Sequence, residues 1–295
     1  MGDDRAPILV GVDGSGATDA ALRWAIAEAR ARHVPLQLVN GFAAEGPAHS
    51  VKLAGDRSDE LRVRATRAVG QAVAHVLAID PAVVVTGEAR DLEPVDLLVD
   101  ESAHASLVVL GSRHLTAVGA TVLGSIGVRV AAAAAAPVVV VRGEAGAVAD
   151  GAAVVAGIDG ASGSQAVLRF AFDYAKRHRA VLRPVLCWHP DVLRIALREP
   201  QPVAPGEAET VLADALAGWS EKYPEVTVQP TALREYPTAG LVLESTEQHL
   251  LVVGRRRRNT TVSALLGSVS QGVLHHASCP VAVVPEATER LRLQR

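Results

Sequence analysis

Lysine is nearly missing from this chain. It occurs at Lys52, Lys176 and Lys222 alone among 29 basic residues, and 32 acidic residues bring the net charge to −3. That balance excludes a general attraction to nucleic acid or to an anionic membrane. Aromatic residues make up 3% of the 295 positions, and no DNA-binding or RNA-binding motif accompanies them. Two cysteines, Cys187 and Cys279, lie too far apart in sequence to form a disulfide framework, so a reduced, cytoplasmic compartment is the expectation. The opening MGDDRAPILVGVDGS is acidic where a signal peptide is basic. No uninterrupted apolar run reaches the length of a membrane span, and no membrane partner is expected. Three catalytic and phosphate-binding patterns are absent: Gly-x-x-x-x-Gly-Lys-Ser/Thr, His-Glu-x-x-His and Gly-x-Ser-x-Gly. The stretch Gly11 to Gly16 does not fit Gly-x-Gly-x-x-Gly either, which argues against a nicotinamide dehydrogenase.

What is present is a duplication. Val108 to Val141 and Leu251 to Val284 align without a gap, pairing Gly111 with Gly254, Gly124-Ser125 with Gly267-Ser268 and Pro137 with Pro280. A match at fixed offset is the mark of a repeated unit. The beginnings repeat too, since Ile8 to Gly14 returns as Val154 to Gly160, each an apolar run ending in Asp-Gly. Apolar residues form 49% of the chain, enough for a core in each half, and the small, polar stretch 143–151 reads as the linker between domains at 1–145 and 150–295.

Each half alternates strand and helix. In the first, strands are predicted at 8–12, 35–39 and 82–86, with helices at 18–32, 60–77 and 94–104. Residues 41–59 form a surface excursion between them. The first helix carries Ala21, Leu22, Ala25, Ile26 and Ala29 at helical spacing. The alanine run Ala131 to Ala136 reads as a helix packed on the sheet. The second half repeats the order: strands at 153–158, 181–187 and 226–233, helices at 164–178, 207–222 and 238–248, and a proline-rich loop at 190–205. Strict alternation predicts an α/β fold of two tandem open parallel five-stranded sheets with helices on both faces. The glycine-ended strands then bring their loops to the edge where such sheets hold ligands, and exposed backbone N–H groups there favour an anionic group. The uncharged, β-branched strands Val138 to Val141 and Val281 to Val284 are candidates for a pairing edge between domains or chains.

The order of these motifs resembles the universal stress protein family in its tandem, two-domain form, over nearly the whole chain. The resemblance implies a Rossmann-like fold of the adenine nucleotide alpha hydrolase kind and binding of ATP in one or both domains. It also implies a regulatory role in stress adaptation or growth arrest, exerted on an unidentified protein partner by a homodimer or an internal pseudo-dimer. In ATP-binding members the late loop runs Gly, two residues, Gly, nine residues, Gly, Ser or Thr. Here the first half has Gly111, His114, Gly124 and Ser125, and the second has Gly254, Arg257, Gly267 and Ser268. Both halves thus lack the middle glycine, which elsewhere permits positive φ and close approach of a phosphate. A side chain at that point either fills the pocket or, as Arg257 or a protonated His114, donates to phosphate oxygens.

By the same resemblance Asp13 and Asp159 are the ribose-side carboxylates. Val12 and Ile158 line the base, with Gly41 and Cys187 near the adenine. Gly111, Gly124 and Ser125 cradle phosphates in the first half, and Gly254, Gly267, Ser268 and Ser270 in the second. Turn formation with a following helix cap is the plain alternative for the two aspartates. The run Arg255 to Arg258 reads as a solvated loop tip or a phosphate contact. His275, His276 and Cys279 near a helix end lack a fourth ligand, so no metal is expected. No nucleophile or acid–base pair stands out, and the protein is expected to act by binding, with a nucleotide-free interaction scaffold and a slow ATPase as the alternatives.

Overall fold

The computed structural model describes residues 6–43, 51–112, 125–142, 151–160, 163–189, 206–255 and 266–286, and for 51–57 the helical backbone only. Contacts divide the chain into unit 1, Met1–Gly146, and unit 2, Ala147–Arg295.

Unit 1 runs β1 (Ile8–Gly11), α1 (Gly16–Arg32), β2 (Leu36–Phe42), α2 (Val51–Ile79), β3 (Val85–Asp91), α3 (Pro94–Glu101), β4 (Leu107–Gly111), α4 (Ser125–Ala133) and β5 (Val138–Val141). Its strands lie in the order β3-β2-β1-β4-β5, all parallel. The central strands are covered on both faces, which is why they read as unbroken apolar runs: Ile8, Leu9, Val10, Leu107, Val108 and Val109 are all fully buried. The five apolar residues predicted for α1 are all buried as well, so that stripe packs on the sheet. Helix α1 ends where His33 takes a left-handed conformation (φ 57°) and its N–H bonds back to Arg30.

Two boundaries in unit 1 differ from the sequence expectation. Helix α2 begins at Val51, nine residues before the expected start. Strand β3 begins at Val85 and runs through Glu88 and Arg90 to Asp91. Pairing with β2, from Leu36–Val85 to Phe42–Asp91, carries those polar residues along an outer strand. Only the start of the expected strand, 82–84, lies outside it, in a turn closed by Ala82 N–H donating to Asp80 Oδ1 at 3.0 Å. Helix α4 stops at Ala133, inside the alanine run, four residues short of Pro137.

Unit 2 runs β6 (Ala153–Ile158), α5 (Ser164–His178), β7 (Val181–Cys187), α6 (Glu207–Leu216), α7 (Trp219–Lys222), β8 (Thr231–Leu233), α8 (Pro237–Glu244), β9 (Leu250–Arg255), α9 (Ser268–His276) and β10 (Val281–Pro285). The strand order is β8-β7-β6-β9-β10, again all parallel, so the duplication in sequence is a duplication in topology. The helix expected over 207–222 is broken at Gly218, whose φ of 77° no helix admits. The break turns α7 so that Trp219 and Tyr223 both stack on Phe172 of α5, each with centroids 5.0 Å away. Strand β8 keeps only three of the eight expected residues, because Pro230 has no N–H to give a ladder. Among the described residues no helix is long and apolar enough to cross a membrane.

Candidate functional site

In both units the strand order reverses beside the first strand, between β1 and β4 and between β6 and β9. Open parallel sheets hold ligands at the carboxyl ends of such a pair. The pairing of Val10 with Val109 brings Asp13 and Ser112 out at the same level in unit 1. The pairing of Ala156 with Val252 does the same for Asp159 and Arg255 in unit 2.

Val12 is buried and still part of the sheet, its N–H donating to Val39 O at 2.9 Å. Asp13 follows and is exposed. Its Oδ1 accepts three bonds: Ser15 N–H at 2.9 Å, Ser15 Oγ at 2.6 Å and Thr18 Oγ1 at 2.9 Å. The first is the side-chain turn expected of an aspartate before glycine, and Gly14 supplies the left-handed φ of 74° that the turn needs. Ser15, not Asp13, is the N-cap of α1. Unit 2 repeats the device. Ser164 Oγ donates to Asp159 Oδ1 at 2.9 Å, Asp159 N–H donates to Ser164 Oγ at 3.2 Å, and Gly160 has φ 72°. Ile158 is buried beneath it, like Val12. Each aspartate is thereby held in one orientation by a hydroxyl five residues on. Thr18 and Ser164 were not singled out by the sequence, although a Ser or Thr at that distance after both Asp-Gly pairs was there to be read.

The strand-end glycines differ between units. A Cβ on Gly111 would lie 2.2 Å from the backbone O of Ala17, so only glycine lets the first turn of α1 cross the end of β4. At Gly254 the nearest atom would be Val167 Cγ2 at 3.2 Å. Ser125 and Ser268 open α4 and α9 and are exposed, with Gly267 as the extended N-cap of α9. Their first-turn amides have no partners within the helix and suit an anion. Ser270 is used differently. It is buried, and its hydroxyl donates to Gly254 O at 2.7 Å, tying α9 to the end of β9. In unit 1 the Ser112 hydroxyl is buried at the end of β4 and finds no hydrogen-bond partner among the described residues. His114, Gly124 and Arg257 lie outside the described residues, as do most of the expected linker and the proline-rich loop.

Gly41 sits at the expected base side but is pressed against the β3–α3 turn, where a Cβ would stand 2.8 Å from both Leu92 O and Pro94 Cα. In unit 2 the room is made on the other element. Cys187 takes the strand position, and Gly240 of α8 is the glycine, its Cβ position 2.7 Å from Cys187 Sγ. Burial, helped by Glu244 and Glu235, pushes the Cys187 thiol up to about 11, so it stays a protonated, apolar surface. Beyond it the edge of unit 2 carries a group of rings. His189 stacks on Tyr236 with centroids 4.0 Å apart, and the Arg234 guanidinium lies 5.5 Å from the Trp188 centroid. Low aromatic content hid this cluster, because its members come from two separate segments.

Elsewhere, Cys279 is buried and donates to Pro280 O at 3.3 Å, and the His275 and His276 rings are 6.4 Å apart and tilted. Among the described residues no group of three or more His, Cys, Asp or Glu side chains could hold a metal ion.

The universal stress protein family model matches the chain twice, over residues 5–142 and 152–285. A universal stress protein of Mycolicibacterium smegmatis is 34% identical over 290 residues, covering 94% of this chain and 96% of that protein. Universal stress protein Rv2005c of Mycobacterium tuberculosis is 35% identical over 295 residues, covering 95% and 97%. Among solved structures, a universal stress protein from Archaeoglobus fulgidus superposes with a TM-score of 0.72 at 16% identity, covering 95% of this chain and 98% of that one, and shares the fold.

Proposed function

The chain belongs to the universal stress protein family, and we propose that it binds an adenine nucleotide, ATP foremost, in one or both units and acts through binding rather than catalysis. One observation carries this reading: the same oriented aspartate, over the same left-handed glycine, at the same strand end in both units. A carboxylate held in place by a hydroxyl presents acceptor oxygens to a ligand without paying to order a side chain, as a sugar's vicinal hydroxyls require. The features suited to phosphate are the starts of α4 and α9, where Ser125 and Ser268 are exposed. The orphaned Ser112 hydroxyl supports a polar occupant in unit 1, since buried hydroxyls find partners.

Nucleotide state then alters contacts with a regulatory protein partner. A cytoplasmic location and self-association into a homodimer belong to the same proposal, and fractionation and sedimentation equilibrium test them.

The nucleotide reading is tested by identifying any small molecule released from freshly purified protein, then titrating ATP, ADP and AMP by calorimetry. Binding weakened at least tenfold by Asp13→Ala or Asp159→Ala supports the proposal. A chain that binds none of the three, but gains affinity on His114→Gly or Arg257→Gly, is an interaction scaffold whose sites have been closed. Turnover of ATP that disappears with the two aspartates would instead establish a slow ATPase.

A further inference from the structure

Three neighbouring strands of unit 1 end at one level. The register of Val10 with Val109 sets Asp13 level with Ser112, and that of Gly111 with Val141 sets Ser112 level with Arg142. The ladder still holds there, since Ser112 N–H donates to Val141 O at 2.9 Å. A carboxylate, a hydroxyl and a guanidinium therefore stand in a row across β1, β4 and β5. In unit 2 the register of Ala156 with Val252 and of Arg255 with Pro285 aligns Asp159, Arg255 and Pro285 in the same way. Each unit has one arginine in this row, but on a different strand: the last in unit 1, the middle one in unit 2.

Two further observations place the row of unit 1 in a ligand's path. Alternation along β4 puts Ser112 on the face of Leu110, because Gly111 between them faces Ala17 of α1. A Cβ on Gly11 would meet Leu110 together with Leu98 of α3, so this is the face that α3 covers. Arg142 shares it as the parallel neighbour of Ser112. Helix α4, whose start suits phosphate, packs against α3. The second observation is the Ser112 hydroxyl, 3% exposed and without a hydrogen-bond partner among the described residues. A buried hydroxyl left in that state calls for a polar occupant, and it stands between the carboxylate and the guanidinium.

We propose that the strand carrying the arginine sets the length of phosphate chain that each unit takes. The proposal rests on the nucleotide reading above and adds the discrimination between nucleotides. Arg142 is two strand spacings from Asp13, roughly 10 Å, whereas Arg255 is one spacing from Asp159, roughly 5 Å. With the sugar at the aspartate, the single phosphate of AMP lies beside it and the terminal phosphate of ATP lies two phosphates further on. Unit 1 is thus an ATP site, with Ser112 along the chain and Arg142 at its end. Unit 2 is an AMP site, in which Arg255 meets the phosphate next to the sugar and Pro285 offers nothing beyond. A guanidinium is charged at any physiological pH and its planar fork matches phosphate oxygens.

The test uses the full chain in two forms: Asp159→Ala, which leaves unit 1 to report, and Asp13→Ala, which leaves unit 2. Each is titrated by calorimetry with ATP and with AMP. The first form is expected to bind ATP about tenfold more tightly than AMP, and the second to bind AMP at least as tightly as ATP. Adding Arg142→Gln to the first form should weaken ATP about tenfold more than AMP, and Arg142→Lys, which keeps the charge, should weaken it less. Adding Arg255→Gln to the second form should weaken both ligands alike. Arg142 is 7% exposed, so thermal unfolding accompanies its variants, and the comparison of the two forms stands without them. Equal preference for ATP over AMP in the two forms overturns the proposal and leaves the nucleotide reading intact, as does an Arg142→Gln chain that folds and loses both ligands by the same factor. If neither form nor the unsubstituted chain binds a nucleotide, both readings fall together.

Discussion

Thr18 donates its hydroxyl to Asp13 Oδ1 at 2.9 Å, and Ser164 does the same for Asp159 at the same distance. A bond that recurs in both copies of a duplicated unit, between residues five apart, binds the end of the first strand to the first turn of the helix that follows. It fixes the direction in which the carboxylate faces.

Removing that hydroxyl without touching the carboxylate separates orientation from charge. Thr18→Val and Ser164→Ala are expected to weaken nucleotide binding about fivefold to tenfold each, the value of about one hydrogen bond. Loss of Asp13 or Asp159 costs more. Titration calorimetry of the single variants checks this, and affinities equal to that of the unsubstituted chain would reduce Thr18 and Ser164 to helix-end residues.

Gly111 and Gly254 hold matching sequence positions but different surroundings. Gly111→Ala drives a Cβ to 2.2 Å from the Ala17 carbonyl oxygen, and backbone cannot yield. A loss of about 3 kcal/mol is expected, the upper end of overpacking costs. Gly254→Ala meets only a methyl of Val167 at 3.2 Å, and its cost falls at or below about 1 kcal/mol. Urea midpoints of the two variants decide, and equal shifts would contradict the geometry.

Tyr223 provides a prediction at alkaline pH. Burial and its 2.7 Å hydrogen bond to Asp173 push the phenol up to about 12. A group that holds its proton more tightly when folded contributes stability that is complete below its unfolded pKa, about 10, and is lost as pH rises from there to about 12. Denaturation midpoints measured across that window should fall more steeply for the unsubstituted chain than for Tyr223→Phe, which keeps the stack on Phe172 and has no proton to lose. Parallel curves would show that the phenol does not contribute.

Cys187, with its thiol pushed up to about 11, holds roughly a hundredfold less thiolate at pH 8 than an ordinary cysteine. In a Cys279→Ala chain, iodoacetamide should label Cys187 at least about tenfold more slowly in the native state than in urea. Native labelling at the unfolded rate would place the thiol in solvent, against the packing of Gly240 on its sulfur.

Much of the fold could be read because its signals are local and periodic. The α1 stripe Ala21, Leu22, Ala25, Ile26 and Ala29 is buried as its spacing requires. Helix α5 and strands β6 and β7 fall at the expected residues. The boundaries that moved are those where a neighbour decides. Strand β3 extends through polar residues because β2 pairs with it to the end, and β8 is shortened because Pro230 interrupts the ladder. In the site, the aspartates and the turn glycines were legible from the repeated Asp-Gly. Ser270 was expected to face phosphate through its hydroxyl, which the fold instead uses to join α9 to Gly254.

The sequence alone determined the duplication, the alternation of parallel strands and helices, and the two strand ends that carry Asp13 and Asp159. Each follows from spacing, side-chain size or backbone freedom within a few residues. Tertiary structure decided why Gly111 cannot change while Gly254 has room. It also decided why Gly41 in one unit is answered by Gly240 in the other, and that Glu286 rests on Gly163. Those relationships join residues that lie far apart in the chain, and only packing at van der Waals distance, which no local pattern encodes, brings them together.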